Sequence, residues 1–223
     1  MNYTISDYPG TYLTIELRKD EKIIVEKGTL IYCDGEYTFA KKIEAKSYKS
    51  VIAKMSGKSF SYNVYGAKEP LKIVFSAKDT AEIFSVEVDA DVPVFFEPCL
   101  HFARTEGLEV SLVNKDWKST LSDGLKLKTA GAGTLFLKGY GRVIELDIDS
   151  EKAMFVDENA LIAFEERLDV RMVSRGVKDI LTSGEGFLFA VRGKGRIWLQ
   201  TREKMDFAGS GGIGGIVDTV FGG

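Results

Sequence analysis

The chain has 223 residues, 44% hydrophobic and 28% charged, the balance of a globular protein long enough to bury a core. Its formal net charge of −3 argues against a broad nucleic-acid footprint, and its 2 cysteines make no disulfide framework, which points to a reducing, cytoplasmic setting. The opening Met1-Asn2-Tyr3-Thr4-Ile5-Ser6-Asp7 lacks the basic and apolar regions of a secretory signal, and no apolar run reaches the roughly 18–20 residues that span a bilayer.

Strand patterns dominate from the start. Leu13, Ile15 and Leu17 alternate with Thr14, Glu16 and Arg18. Phe84, Val86 and Val88 alternate with Ser85, Glu87 and Asp89, and Leu108, Val110 and Leu112 with Glu109 and Ser111. Ile144, Leu146 and Ile148 alternate with Glu145, Asp147 and Asp149, and Leu168, Val170 and Met172 with Asp169 and Arg171. Side chains on a strand change face at each residue, so this period buries one face and wets the other. Helical spacing is scarce. Tyr48, Val51, Ile52 and Met55 show it before Ser56-Gly57, as do Val177, Ile180 and Leu181 before Ser183-Gly184 and Trp117 and Leu121 before Ser122-Asp123-Gly124. Each predicts a short helix stopped by glycine, which accepts the left-handed cap conformation. From Ser183 to Gln200 the pattern is a Gly-rich start, an apolar strand, a tight Gly193-Lys194-Gly195 turn and a second strand, which together predict a β-hairpin.

Pieces of the chain recur. Ser56-Gly57-Lys58-Ser59-Phe60 lines up with Ser183-Gly184-Glu185-Gly186-Phe187, and Ala130-Gly131-Ala132-Gly133-Thr134 is taken as the middle copy. Lys72-Ile73-Val74-Phe75, Arg142-Val143-Ile144-Glu145 and Arg196-Ile197-Trp198-Leu199 match in character. An apolar strand with an acidic bend recurs as Val25 to Ile31, Phe96 to Phe102 and Val156 to Ile162. These pieces predict an all-β fold: a β-sandwich with a pseudo-threefold internal repeat and a few short helices. The N- and C-terminal strands are expected to lie side by side and close the repeat, hiding edges that would otherwise invite pairing. Residues 1–204 read as one domain, followed by a Gly-rich tail over 205–223.

Gly184-Glu185-Gly186-Phe187, the run Gly193 to Thr201, the Gly-rich end, and Glu26-Lys27-Gly28-Thr29-Leu30 together resemble the altered inheritance of mitochondria protein 24 family. The likeness extends roughly from Met1 to Thr201. It departs from the family pattern in the middle copy, which lacks a clean Gly-Glu-Gly, and at Ala67-Lys68-Glu69-Pro70, where a Gly-x-Gly-Arg turn is usual. The resemblance implies a fold like that of the tryptophan RNA-binding attenuation protein, used three times per chain, and no established enzyme activity. The mitochondrial relative's link to inner-membrane organisation is not carried over to this chain.

The candidate chemistry is thin. His101 is the one histidine, which excludes His-cluster metal sites, and its place in Phe96-Glu97-Pro98-Cys99-Leu100-His101-Phe102 predicts packing. A Cys99/His101 pair would share a strand face but has no third orienting residue. Asp147, Asp149, Glu151, Asp157 and Glu158 read as a solvated face rather than a cation site. Glu165 and Glu166, as strand neighbours, point opposite ways and make a poor acid–base pair. Gly209-Ser210-Gly211-Gly212-Ile213-Gly214 matches G-x-G-x-x-G literally but lacks the βαβ setting that motif requires. Beyond it, Ile213, Ile216, Val217, Val220 and Phe221 form a helical stripe, a candidate hook for a neighbouring subunit or a membrane surface, against the alternative of a flexible tail. Lys138, Arg142, Arg192, Lys194 and Arg196, with Tyr140, surround two Gly-rich turns and are the candidate nucleic-acid contacts, since RNA readers pair cations with aromatics. The expected protein is a non-enzymatic, cofactor-free binding or scaffold module. It is expected to be a homo-oligomer, or to hold a protein partner or a membrane surface. The alternatives are a nucleic-acid-binding module and an enzyme with an unrecognised site.

Overall fold

The alternating segments become strands. The computed structural model describes residues 1–7, 9–43, 61–77, 79–114, 125–173 and 188–203. In chain order the strands are β1 (Asn2–Ile5), β2 (Tyr12–Leu17), β3 (Lys22–Glu26), β4 (Leu30–Asp34), β5 (Tyr37–Ile43), β6 (Ser61–Ala67), β7 (Leu71–Ser76), β8 (Glu82–Val88), β9 (Val94–Phe96), β10 (His101–Thr105), β11 (Glu109–Asn114), β12 (Leu125–Ala130), β13 (Gly133–Gly139), β14 (Val143–Asp157), β15 (Leu161–Glu165), β16 (Asp169–Val173) and β17 (Leu188–Gln200). A 3-10 turn, Pro98–Leu100, lies between β9 and β10. The three predicted helices and residues 183–187 fall outside the described residues.

Three antiparallel sheets result. The first has 4 strands in the order β1-β2-β7-β4, and the second has 6 in the order β5-β6-β3-β10-β13-β8. The third has 7: β11-β12-β9-β15-β17-β14, with β16 also pairing β17. Leu13, Ile15, Ile73 and Phe75 of the first sheet share a core with Ile23, Val25, Phe102 and Phe136 of the second. Val86, Leu135 and Leu137 of the second sheet pack with Phe96, Ile162 and Trp198 of the third. A last core of Phe95, Ile148, Val156, Phe164, Phe189, Val191 and Ile197 belongs to the third sheet alone, so that sheet curls over on itself.

The internal repeat is written in the pairings. An acidic bend separates two short strand segments in each copy: β3 from β4, β9 from β10, and the end of β14 from β15. In each copy a three-residue-back hydrogen bond closes the bend: the Thr29 hydroxyl donates to the Glu26 carbonyl, the Leu100 amide to Glu97, and the Ala160 amide to Asp157. The strand after the bend then carries the same register shift each time. It falls between Leu30 and Tyr32 on β4, His101 and Ala103 on β10, and Leu161 and Ala163 on β15. One bulge at one position in three copies marks a built repeat, because a bulge is a placed local feature rather than a product of strand length. Neighbouring copies are stitched by strand addition. Val25, Ile24 and Ile23 of β3 face Ala103, Arg104 and Thr105 of β10, and Phe96, Phe95 and Val94 of β9 face Ala163, Phe164 and Glu165 of β15.

Three expectations are corrected. Gly193-Lys194-Gly195 is not a tight turn: β17 runs unbroken through it, with Gly193 opposite Ser150 and Gly195 opposite Ile148. Pairing with β14 through all three residues holds the strand extended. Gly193, at φ +105°, supplies a conformation other residues avoid, so the strand curls instead of reversing. The middle copy is also displaced. Gly131 and Gly133 lie at the turn between β12 and β13, the counterpart of the Gly193–Gly195 bend, and Arg142-Val143-Ile144-Glu145 opens into β14, which belongs to the third copy. Finally, the N- and C-terminal strands do not lie side by side. β1 pairs β2, while β17 pairs β14, β15 and β16. Sheet adjacency is decided by which copies exchange strands, not by proximity to a terminus.

Candidate interaction surface

The bulge and the bend make residues of the three copies directly comparable. Ile31 and Tyr32 of β4 occupy the places of Phe102 and Ala103 on β10 and of Ile162 and Ala163 on β15. Met154 and Phe155 of β14 occupy the places of Ile23 and Ile24 on β3 and of Val94 and Phe95 on β9, since each set pairs the equivalent strand: β17, β6 and β12. The burial differs sharply. Phe102, Ala103, Ile162, Ala163, Ile23, Ile24, Val94 and Phe95 are all buried, whereas Ile31 is 55%, Tyr32 48%, Met154 41% and Phe155 58% exposed. The cause is position. Among the described residues β4 pairs only β7 and ends the first sheet, and β14 pairs only β17 and ends the third. Tyr37 and Phe39, on the edge strand β5, add two exposed rings that lean on Tyr65 at 5.7 and 5.6 Å. None of these residues was singled out by sequence reasoning. The signal available was the acidic-bend alignment itself, which places Ile31 over buried Phe102 and Ile162.

The basic candidates are scattered and each faces a carboxylate. Lys138 is buried on β13, donating to Glu26 at 2.7 Å, with Asp79 at 3.9 Å. Arg142 meets Glu82 at 3.3 Å, Arg192 meets Asp169 at 3.3 Å and Lys194 meets Asp149 at 3.4 Å. Arg196 is held by Glu165 at 2.8 Å and Glu145 at 3.4 Å and lies 5.1 Å from the Trp198 ring centre. Arg192, Lys194 and Arg196 share β17, but Lys138 sits in a different sheet. Tyr140 is buried, and its hydroxyl donates to Asp79 at 2.8 Å, so it offers no stacking face. Burial, then Asp79, pushes its pKa up.

His101 lies inside. Its ring meets Tyr62 edge-on at 4.6 Å, and Arg104 Nη1 donates to its Nε2 at 3.2 Å, which assigns the neutral tautomer protonated at Nδ1. Burial, then the Lys138 cation, holds its pKa down to about 3. Cys99 does not share a strand face with it: the 3-10 turn leaves Cys99 exposed while His101 is buried at the start of β10. Glu165 is buried beneath Arg167 and Arg196, and Glu166 pairs Lys128 at 2.6 Å. Asp147, Asp149 and Glu151 are exposed. Among the described residues no group of three or more His, Cys, Asp or Glu is placed to hold a metal, and no helix is long and apolar enough to cross a membrane. Ile213, Ile216, Val217, Val220 and Phe221 lie outside the described residues.

Comparison with known proteins follows the same lines. A family model described as mitochondrial biogenesis AIM24 matches residues 3–202. The crystal structure of a protein from Streptococcus pyogenes matches with a TM-score of 0.72, covering 94% of this chain and 97% of that one at 19% identity, a likeness of fold. No curated protein matches the chain.

Proposed function

The chain belongs to the mitochondrial biogenesis AIM24 family, and we propose that its work is binding: it is a scaffold that self-associates and catalyses nothing by itself. The observation that carries this reading is two apolar strand edges, at β4 and at the end of β14, that no strand among the described residues pairs. An unpaired edge is a row of amide and carbonyl groups ready to accept another strand, and proteins that must stay apart blunt it with charge or proline. Here the edges carry Ile31, Tyr32, Met154 and Phe155 instead, the chemistry of strand addition, in which backbone bonds supply affinity and side chains supply specificity. A nucleic-acid reading has weaker support, because each candidate cation already has a carboxylate within 4 Å and phosphate binding draws on unneutralised Lys and Arg.

Light scattering on the full chain and on a chain ending at Thr201 tests the reading. The full chain is expected to show a multiple of its 24.7 kDa subunit mass, and the truncated chain the same multiple of its own, smaller mass. Association lost only on truncation would move the contact from the strand edges to the tail. A single-subunit mass for both at micromolar concentration would refute self-association.

A further inference from the structure

We propose that the two open edges are partners for each other between molecules: β4 of one copy adds to Met154–Asp157 of β14 on a second copy. This rests on the self-association reading and specifies its contact. The register follows from the junctions already inside the chain. There, Val25 faces Ala103 and Ile24 faces Arg104; in the next, Phe96 faces Ala163 and Phe95 faces Phe164. Transferred to the third copy and the first, the same register sets Val156 opposite Tyr32, Phe155 opposite Cys33 and Met154 opposite Asp34.

Three observations converge on it. The chain makes this junction twice and has one unused half at each end, because β4 closes the first sheet and β14 the third. The sequences of the donor segments agree in character: Ile23-Ile24-Val25, Val94-Phe95-Phe96 and Met154-Phe155-Val156 are all apolar. And the large apolar side chains exposed on these two segments are the ones whose counterparts are buried at the internal junctions. The occupant is a second copy because the two halves sit on different sheets, with the six-stranded sheet placed between them in the chain of copies, and no strand among the described residues pairs either. The contact is head to tail, so each molecule offers one β4 and one β14, and association either closes into a ring or extends.

The test uses Cys33 as it stands. In a background with Cys99→Ser, the substitution Phe155→Cys places a second thiol directly across the proposed pair, where antiparallel neighbours have Cβ atoms about 4.5–5.5 Å apart, within small adjustment of disulfide geometry. Phe155 is 58% exposed, so the fold tolerates the change. Under mild copper-catalysed oxidation the full-length variant is expected to give disulfide-linked dimers and larger species on a non-reducing gel. Mixing a Phe155→Cys, Cys33→Ser, Cys99→Ser chain with a Cys99→Ser chain should give dimers alone. A disulfide closed within one chain, or no disulfide at all, would overturn the proposal. Phe155→Asp supplies a second readout: the mass by light scattering falls to a single subunit while the circular dichroism spectrum is kept. An unchanged multimer would overturn this contact and leave self-association standing; a monomeric wild type would remove both.

Discussion

Glu165 is a buried charge held by two arginines, and removing it tests how the curled third sheet is held. Its carboxylate is buried on β15. Oε2 accepts from Arg167 Nε at 2.7 Å and from the Arg196 backbone amide at 3.2 Å, and Oε1 accepts from Arg196 Nε at 2.8 Å. Gly195 leaves room for it: a Cβ there would lie 3.0 Å from Oε2. The carboxylate thus ties β15 to β17 where β17 curls. Each hydrogen bond to a charged group is worth about 1.5–3 kcal/mol, and stripping one partner from a fully buried pair costs about 3–5 kcal/mol. Arg167 and Arg196 are 51% and 32% exposed, so both guanidinium groups regain water once the carboxylate is gone, and the cost drops. Glu165→Ala should therefore lose about 2–3 kcal/mol, and Glu165→Gln about 1–1.5 kcal/mol because the amide oxygen still accepts. At this chain length that is a fall in Tm of roughly 5–10 °C for the alanine variant. Equilibrium urea unfolding with an unchanged m-value measures it. An alanine variant as stable as the wild type would refute the claim that this carboxylate holds the bend.

Two further outcomes are expected. The unfolded His101 imidazole takes a proton near pH 6.5, whereas the folded one, buried, refuses it until about pH 3. The unfolded state therefore binds more protons in that window, and stability complete above about pH 6.5 falls as the pH drops through it, by about 2 kcal/mol between pH 7 and pH 5. Paired urea titrations of wild type and His101→Phe at the two pH values read this; equal losses in both proteins would exclude His101 as the source. Gly131 has φ +84°, and a Cβ there would lie 2.7 Å from the Gly107 carbonyl oxygen, a backbone atom that cannot swing aside. Gly131→Ala is expected to cost about 2–3 kcal/mol, combining left-handed strain with that clash. Thermal unfolding checks it, and a loss below about 0.5 kcal/mol would show that the β12–β13 turn yields freely.

Local pattern carried much of this fold. Leu13, Ile15 and Leu17 alternate in the sequence and are buried on one face of β2, because a strand's period of two follows from covalent geometry alone. The acidic bend aligned correctly across Val25, Phe96 and Val156, since a bend must be encoded by the residues that make it. The misreadings arose where a distant segment cast the deciding vote. Gly193-Lys194-Gly195 has the composition of a turn, yet Ser150, Asp149 and Ile148 of β14 pair it residue by residue and keep it extended. Lys138 and Tyr140 read as surface residues and are buried because Glu26 and Asp79, far away in the chain, satisfy them there.

The contact edges show the division most plainly. By itself the sequence determined that Val25 to Ile31, Phe96 to Phe102 and Val156 to Ile162 are segments of one kind, and that Ile31-Tyr32 and Met154-Phe155 are as apolar as Phe102-Ala103 and Val94-Phe95. Only the tertiary structure decided that Ile31-Tyr32 and Met154-Phe155 face solvent and that Phe102-Ala103 and Val94-Phe95 are covered. Hydrophobicity states what a side chain gains from burial; whether a neighbouring strand arrives to bury it depends on pairings between residues a hundred positions apart, and at these two edges no described strand does.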